Sequence, residues 1–407
     1  MKHISLLVIF ITLFSCKKEE QQIKSLIKED VTFLADDALK GRETGTEGER
    51  MAADYIAKRF KELELTPKGT DGFFQDFSFK PSNDPHRETE FVTSTDSSIT
   101  GRNVIAFLDN EAQNTIVIGA HYDHLGYGGQ GSLHRGEEAI HNGADDNASG
   151  VSIVLDLASK LKNANTNNNY LFMAFSGEEL GLLGSNYFVK NPTIDADKMN
   201  YMINLDMVGR LKADSTLAVH GVGTSPILKQ VVKSSNDYFK LIESESGVGP
   251  SDHTSFYLND VPVLFFFTGQ HEDYHKPGDD SEKLNYKGME LISDYIFNII
   301  TDLDDNGKLA FRKTKDQSQD TPRFKVGLGV IPDYLYDGKG MRIDGVSEDK
   351  PAIKAGLQKG DIVLKIGDST IVDIYGYMRA LSIFDTGDKT KVVVERDGKE
   401  IEADIQF

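Results

Sequence analysis

Residues 143–150 read "GADDNASG", and they place two aspartates side by side among glycine, alanine and serine. Adjacent carboxylates repel each other, although a solvated turn tolerates that repulsion easily. The alternative is a cation held between these carboxylates and ligands from elsewhere in the chain. In that case the small neighbouring residues would let the backbone approach the site closely. The sequence on either side of this stretch distinguishes the two interpretations.

Short, continuous apolar runs bounded by turns lie on both sides of the aspartate pair. They read "NTIVIGAHYD", "NNYLFMAFSGEE", "YMINLDMVG" and "VPVLFFFTG". Continuous rather than alternating apolar residues are typical of strands that are buried on both faces of a sheet. Helical patterns accompany them in "GVSIVLDLASKLK" and "YKGMELISDYIFNIITDL". Strands that alternate with helices predict an α/β fold, with a mostly parallel sheet covered on both sides.

Each apolar run leads into potential metal ligands. These residues are His121, Asp123, Asp145, Asp146, Glu178, Glu179, Asp206, His271 and His275. In an open parallel sheet, sites form outside the carboxyl ends of the strands, so we expect these side chains at one edge. Bound cations would relieve the repulsion between so many carboxylates. Imidazole and carboxylate ligands without thiolate favour Zn²⁺, with Mn²⁺ or Co²⁺ as substitutes.

Five motifs carry a resemblance to a known family. In chain order they read "GAHYDHLG", "NGADDNASG", "FSGEELGLLGS", "NLDMVG" and "DYHKPGDD". The chain resembles the di-zinc exopeptidases of the bacterial leucyl aminopeptidase family (peptidase clan MH) over about residues 25–305. The resemblance implies a mixed, mainly parallel sheet sandwiched between helices, two Zn²⁺ ions, and a metallo-aminopeptidase that removes N-terminal residues from peptide substrates.

The resemblance also implies the metal ligands. By motif, Asp145 would bridge the two zinc ions. His121 and Asp206 would complete the coordination of one ion, and Glu179 and His275 that of the other.

Further roles follow from the same resemblance. Glu178 would be the general base, Asp123 would orient His121, and Asp279 would do the same near His275. A cis peptide bond is expected between Asp145 and Asp146. The histidines outside the motif positions are interpreted as rim or structural residues; they are His124, His134, His141 and His271. The tyrosine that helps to hold the oxyanion in some relatives has no counterpart before Ser251, which leaves Tyr257 and His253 as candidates.

The C-terminal region differs in composition from the rest. Residues 306–322 are polar and are interpreted as a linker. Residues 323–407 contain "PAIKAGLQKGDIV" and resemble a bacterial-type PDZ domain. In such domains a backbone loop captures the carboxylate of a C-terminal peptide, and Gly327, Leu328, Gly329 and Val330 match that loop. Pro332 follows two residues after Val330 and cannot donate to a β-ladder, which leaves open whether the domain binds peptides or packs on the catalytic unit.

The N-terminal sequence predicts export. Residues 1–15 combine a lysine, a short apolar run and a small residue, as a signal peptide does. Cys16 follows in "LFSC", which resembles a bacterial lipobox, and it is the only cysteine in the chain. We therefore expect lipidation at Cys16, a polar tether over residues 16–24, and a protein attached to a bacterial membrane through its lipid anchor alone.

Composition excludes some functions and leaves others open. The formal net charge of −19 argues against nucleic-acid partners, since acidic residues outnumber basic ones by 64 to 45 and would repel phosphates. Three alternatives to an aminopeptidase remain. One is a glutaminyl-cyclase-like acyltransferase, which has the same fold and uses one zinc. The others are a non-enzymatic scaffold whose PDZ domain is the working part, and an amide hydrolase for non-peptide substrates.

Overall fold

Two sheets organise the chain. The computed structural model describes residues 25–81, 90–95, 97–129, 131–164, 166–315, 325–333, 335–336, 338–347 and 350–407. Within these residues, a ten-stranded sheet belongs to the larger N-terminal part and a six-stranded sheet to the C-terminal part. Helices cover the larger sheet, so the predicted α/β fold with a small C-terminal domain is confirmed.

The described residues form strands and helices in both parts of the chain, and these alternate through the larger, N-terminal part. The strands are β1 (Thr66–Pro67), β2 (Phe74–Phe79), β3 (Phe91–Val92), β4 (Ile99–Leu108), β5 (Thr115–His121), β6 (Asn169–Phe175), β7 (Met199–Leu205), β8 (Thr216–His220), β9 (Lys240–Ser244), β10 (Val263–Phe267), β11 (Val330–Pro332), β12 (Met341–Val346), β13 (Ile362–Ile366), β14 (Ser369–Thr370), β15 (Lys389–Arg396) and β16 (Lys399–Gln406). The α-helices are α1 (Ile27–Leu34), α2 (Glu47–Glu62), α3 (Gly150–Lys162), α4 (Leu183–Lys190), α5 (Leu228–Ser234), α6 (His253–Tyr257), α7 (Tyr286–Leu303), α8 (Pro351–Lys354) and α9 (Ile374–Leu381). A π-helical turn, Ala144–Ser149, precedes α3.

The larger sheet is mixed, and its parallel part lies at the centre. The strand order is β3-β2-β4-β6-β5-β7-β10-β8-β9, with β1 beside β4. The four central strands, β6, β5, β7 and β10, run parallel. Beyond them β4 and β8 pair antiparallel with the central strands, and β9 runs parallel to β8. The four parallel strands therefore end at the same edge of the sheet.

The central strands bury both faces because successive side chains point to opposite sides of a strand. In β5, Ile116 and Ile118 belong to a core shared with α1, α2, α3 and α7. Between them, Val117 belongs to a second core, which also contains Phe188 of α4 and Phe256 of α6. All seven residues of β5 are buried. This two-sided burial explains why the central strands are apolar without alternation.

The N-terminal helices complete the first of these cores. Ile27, Val31 and Leu34 of α1 are buried in it, together with Phe60 of α2. Helix α2 begins after Thr46, whose hydroxyl accepts a hydrogen bond from the Glu49 backbone N–H at 3.4 Å, as an N-cap does. Residues well before the central strands are thus part of the same hydrophobic core.

The C-terminal sheet has the strand order β11-β12-β13-β15-β16, with β14 beside β13. Its own hydrophobic core contains Leu357, Val363 and Leu381. The segment that leads to this domain packs on the larger part of the chain over residues 307–315. The backbone N–H of Leu309 donates to Asn200 Oδ1 at 2.7 Å, and that of Arg312 donates to the Thr224 carbonyl oxygen at 2.7 Å.

Candidate metal centre

The parallel strands bring acidic and imidazole side chains to one edge of the sheet. His121 is the last residue of β5, and it lies level with Phe175 at the end of β6. Glu178 and Glu179 follow β6 by three and four residues, and Asp206 directly follows β7. The predicted meeting of these side chains at the carboxyl ends of the strands is what the structure shows.

The first group of potential ligands surrounds His121, a buried side chain. Its Nε2 atom lies 3.4 Å from Asp206 Oδ1, 3.3 Å from Asp146 Oδ1 and 4.0 Å from Glu178 Oε2. The ligand atoms of His121, Glu178 and Asp206 all lie within 4.8 Å of one another. This spacing suits a single metal ion.

The second group adjoins the first. His275 Nε2 lies 3.2 Å from Asp146 Oδ2 and 3.3 Å from Glu179 Oε2. Since Oδ1 of Asp146 faces His121 and Oδ2 faces His275, this carboxylate lies between the two groups. It is in the position of a ligand that bridges two metal ions.

The prediction that Asp145 is the bridging residue is therefore wrong. The Asp145 carboxylate turns away, where its Oδ1 accepts a hydrogen bond from the Gly209 N–H at 2.6 Å and its Oδ2 lies 3.2 Å from His271 Nε2. The cis peptide bond lies between Asp146 and Asn147, and not between Asp145 and Asp146. The physical reason is the backbone of the π-helical turn, which directs the two neighbouring side chains to different sides.

His124 belongs to the centre, although it was interpreted as a rim or structural residue. It is buried, and its Nδ1 atom lies 2.8 Å from Glu179 Oε1. A second set of closely spaced ligand atoms consists of His124, Asp146 and Glu179. A signal was present in the sequence, because His124 follows the motif residues His121 and Asp123 directly. His134, His141 and His271 lie outside both sets. The predicted ligand His275 also lies outside them, although its Nε2 is 3.2 Å from Asp146 Oδ2 and 3.3 Å from Glu179 Oε2.

The two predicted supporting aspartates differ in outcome. Asp123 lies beside His121 as expected, since His121 Nδ1 is 3.2 Å from its carbonyl oxygen and 3.7 Å from its Oδ1. Asp123 Oδ1 also accepts a hydrogen bond from the Glu178 N–H at 3.1 Å. Asp279 does not orient His275, whose Nδ1 instead lies 2.9 Å from the Gly131 carbonyl oxygen.

Asp279 supports the bridging loop instead. Its Oδ2 accepts hydrogen bonds from the backbone N–H groups of Asp145 at 2.8 Å and Asp146 at 3.0 Å. Its Oδ1 lies 3.2 Å from a guanidinium nitrogen of Arg210. The prediction for Asp279 is therefore wrong about its target, because the chain turns between His275 and Asp279 and directs the carboxylate to a different loop.

Charge and burial together shift the pKa values of the clustered side chains. Burial raises the pKa of Glu178 well above its ordinary value, and neighbouring carboxylates raise it further. Burial would also raise the pKa of Glu179, but His275 and His124 outweigh it and lower this pKa to about 2. Two adjacent glutamates therefore differ in proton affinity: Glu178 favours a proton, and Glu179 favours the anion.

The donor set fits zinc. Imidazole and carboxylate ligands without thiolate are found in catalytic zinc sites. The Asp146 carboxylate, whose two oxygens face His121 and His275, lies between the two groups of side chains, and this arrangement fits a pair of ions.

An open pocket of about 120 Å³ reaches this cluster. Asp146, Glu178, Glu179, Asp206 and His275 form its polar side. The remaining lining is largely apolar or aromatic and consists of Met207, His220, Pro250, Phe265, Phe267, Gln270 and Tyr274. The pocket can thus hold an apolar group next to the carboxylates and imidazoles.

The two candidate oxyanion partners are engaged elsewhere. The Tyr257 hydroxyl accepts a hydrogen bond from the Thr314 backbone N–H at 2.9 Å. His253 is buried and stacks on Phe265, with ring centroids 4.5 Å apart. Neither residue lines the pocket. Tyr257 instead attaches the segment that leads to the C-terminal domain.

Arg42 is a supporting residue that the sequence interpretation missed. It is fully buried, and its guanidinium donates to the carbonyl oxygens of Leu34, Tyr122, Asn142 and Gly143. Burial lowers its pKa to about 10, so the side chain remains charged near neutral pH. One cation thereby ties the N-terminal helical region to the loop that precedes the bridging aspartate.

We expect Arg42→Met to destabilise the protein strongly. Methionine fills part of the space but leaves four carbonyl oxygens without their donor. Each buried acceptor that is left unpaired costs about 1–3 kcal/mol, so we expect a loss of at least about 3 kcal/mol. Urea denaturation followed by circular dichroism measures the change in the free energy of unfolding. Arg50→Met, an exposed arginine on α2, is the matched control and should stay within about 0.5 kcal/mol. Equal stability of the two variants would contradict the supporting role of Arg42.

Comparison with known proteins agrees with this geometry. Residues 103–300 match the model of peptidase family M28. Residues 311–407 match the model of the PDZ domain. The first match contains all the residues of the two ligand sets, and the second begins within the segment that packs on the larger part of the chain.

Curated relatives and solved structures fit the same pattern. A probable leucine aminopeptidase of Trichophyton verrucosum is 33% identical over 174 residues, which are 40% of this chain and 44% of that protein. Aminopeptidase YwaD of Bacillus subtilis is 30% identical over 167 residues, 38% of this chain and 36% of that protein. The matches span less than half the length of these two relatives.

The structural neighbours share the fold. The structure of BSAP, a zinc aminopeptidase from Bacillus subtilis, has a TM-score of 0.55 at 16% identity and covers 71% of this chain and 96% of its own. Porphyromonas gingivalis glutaminyl cyclase also has a TM-score of 0.55, at 18% identity, with 68% and 96% covered.

Proposed function

We propose that the protein is a zinc-dependent aminopeptidase that hydrolyses N-terminal residues from peptides. The observation that carries this proposal is the Asp146 carboxylate, whose Oδ1 lies 3.3 Å from His121 Nε2 and whose Oδ2 lies 3.2 Å from His275 Nε2. The family M28 match and the aminopeptidase relatives support it.

Two Zn²⁺ ions would be held by overlapping ligand sets. His121 and Asp206 would bind one ion, Glu179 and His275 the other, and Asp146 would bridge them. His124 would hold the Glu179 carboxylate through its contact of 2.8 Å. Asp123 would orient His121 and fix the backbone of Glu178.

Glu178 would carry the proton during hydrolysis. When bound, zinc supplies Lewis acidity to the scissile carbonyl and to the attacking water. The Glu178 carboxylate would accept a proton from that water on one of its oxygens and return it to the nitrogen of the leaving amine. The Glu178 carboxylate lines the pocket, with its Oε2 4.0 Å from His121 Nε2, which places it beside the proposed ligands of one ion.

A panel of aminoacyl and N-blocked peptide substrates tests this function. The soluble protein, residues 22–407, is loaded with zinc and assayed against free and acetylated versions of the same peptides. Hydrolysis of the free peptides alone is expected. Equal cleavage of the free and the acetylated peptides would indicate an amide hydrolase of another kind. Release of residues from the carboxyl end of the peptides would indicate the same. Cyclisation of N-terminal glutamine with one zinc per chain would indicate the cyclase, and zinc-loaded protein without any turnover would indicate a scaffold.

The domain boundaries form part of the proposal. The peptidase domain would span residues 25–305 and the PDZ domain residues 323–407, with residues 306–322 as a linker. The backbone loop of Gly327, Leu328, Gly329 and Val330 would accept the carboxylate of a C-terminal peptide. The Ser347 N–H donates to the Gly329 carbonyl oxygen at 2.8 Å, which ties this loop to the end of β12.

We also propose export and a lipid anchor at Cys16. The signal peptide, Cys16 and the tether over residues 16–24 lie outside the described residues, so this proposal rests on the sequence "LFSC". None of the helices in the described part of the chain has the length and apolar content that crossing a bilayer requires.

Cys16→Ser is expected to release the protein from bacterial membranes. Serine has no sulfur to receive the lipid, whereas the catalytic region is unchanged, so specific activity should stay the same. Membrane fractionation after a high-salt wash, followed by immunoblotting, measures the partition. A variant that remains in the membrane fraction would contradict lipidation at this residue.

A further inference from the structure

Leu335, in the C-terminal part of the chain, packs against residues that line the pocket. Leu335 follows β11 and is only 6% exposed. It lies outside the core of its own domain, and it packs in a cluster with Met207, Phe265 and Phe267. Those three residues line the pocket beside the carboxylates and imidazoles. A residue far away in the sequence thus supports the apolar wall of the pocket.

A glycine leaves room for the Leu335 side chain at the point where it packs on the larger part of the chain. Gly269, directly after β10, has a φ of +97°, a conformation that glycine adopts readily. A Cβ atom at this position would lie 2.6 Å from Leu335 Cδ1. The leucine therefore occupies the space that a side chain at residue 269 would take. Tyr274, which stacks on His275 at a centroid distance of 3.9 Å, packs at the border of the same cluster.

Hydrogen bonds fix the turn that presents Leu335. The Leu335 N–H donates to Asp333 Oδ1 at 2.9 Å, and the Tyr336 N–H donates to the Asp333 carbonyl oxygen at 3.2 Å. Arg342 holds Asp333 in turn, since its Nε donates to Asp333 Oδ2 at 2.8 Å. Asp333 is buried. These hydrogen bonds link the backbone of Leu335 and Tyr336 to Asp333 next to the wall of the pocket.

We propose that Leu335 is a positioning residue for the substrate, through which the C-terminal domain sets the preference for the first side chain. The proposal rests on the aminopeptidase function above. Leu335 holds Phe265 and Phe267 from behind, and these rings and Met207 contact an aliphatic side chain of the N-terminal residue. A large aliphatic side chain, such as leucine, makes these contacts, and alanine makes few of them.

Kinetics on two substrates of different size test the proposal. In Leu335→Ala, kcat/KM for leucine p-nitroanilide should fall about tenfold through KM, because a few methylene contacts are worth that much. For alanine p-nitroanilide it should change less than about twofold. Leu335→Met, with a similar volume, should restore the ratio of the two values. An unchanged ratio in Leu335→Ala would overturn the proposal.

A matched control separates this contact from general damage to the domain. Leu357→Ala removes the same atoms from the core of the C-terminal domain, where Leu357 is 3% exposed. Its substrate ratio should equal that of the wild type. Hydrogen–deuterium exchange over β15 checks that the domain stays folded in both alanine variants. If Leu357→Ala alters the ratio as much as Leu335→Ala while β15 stays protected, the contact at Leu335 is not the cause.

Exchange in the metal-free protein gives a readout that needs no activity. In Leu335→Ala, exchange over residues 268–275 should rise, because the leucine side chain no longer packs on Gly269. In Leu357→Ala it should not. If wild-type protein loaded with zinc cleaves neither substrate, the aminopeptidase function fails, and the side-chain preference with it. If the wild type cleaves both substrates but residues 268–275 exchange equally in all variants, only the docking of Leu335 is refuted. The aminopeptidase function then stands.

Discussion

Asp146→Asn is expected to remove zinc from the centre and to lower kcat/KM by about 10³-fold or more, which corresponds to about 4 kcal/mol of transition-state stabilisation. The two oxygens of Asp146 face His121 at 3.3 Å and His275 at 3.2 Å. An amide supplies a neutral oxygen on one side and an N–H group, which repels a cation, on the other. Metal analysis of the purified variant and steady-state kinetics measure the two effects.

Asp145→Asn is the matched control for this prediction. The Asp145 Oδ1 accepts the Gly209 N–H, and an asparagine oxygen can do the same. This variant should keep its zinc and stay within about tenfold of wild-type activity, the lower end of losses for residues outside the coordination shell. If Asp145→Asn loses metal and Asp146→Asn keeps it, the bridging ligand is Asp145 after all.

Glu178→Gln and Glu179→Gln are expected to fail for different reasons. Glu178→Gln retains the shape of the side chain but has no carboxylate to accept a proton. It should bind zinc normally and lose activity by about 10²–10⁴-fold, the usual range for general acid–base catalysis. Glu179→Gln exchanges an anionic ligand for a weak neutral one, so zinc content should fall first and activity as a consequence.

Added zinc distinguishes the two glutamate variants. Excess zinc should restore part of the activity of Glu179→Gln and none of that of Glu178→Gln. The geometry makes this comparison informative, since the Glu178 carboxylate lies close enough to His121 and Asp206 to be a ligand itself. Loss of zinc in Glu178→Gln with retained zinc in Glu179→Gln would exchange the two assignments.

The buried strands and helices of the larger domain could be predicted from sequence because their apolar runs are long and continuous. Helices α3 and α7 match the predicted segments residue for residue. Helix α2 carries a weaker signal. Its large apolar residue Met51 is 38% exposed, whereas Ala52 and Ala53 are fully buried. Small residues carry little hydrophobic signal, yet they let the helix pack closely on its neighbours.

The sequence could predict which residues meet at the site. It could predict the role of each of these residues less well. Strand ends identified His121, Glu178, Glu179 and Asp206, since parallel strands must bring their carboxyl ends together. Asp145 and Asp146 are chemically identical neighbours, and only the course of the backbone distinguishes them. The placement of Leu335 beside the pocket depends on how two domains pack, which local sequence patterns do not encode.

The sharing of one core by α1, α2 and the central strands has a practical consequence for fragments of this protein. The match to family M28 begins at residue 103, but Ile27, Val31 and Phe60 lie in the core with β5 and α7. Arg42 ties the same region to Gly143. A recombinant fragment cut at residue 103 would expose that core to water and aggregate, so an expression boundary near residue 25 is the one that yields a foldable catalytic unit.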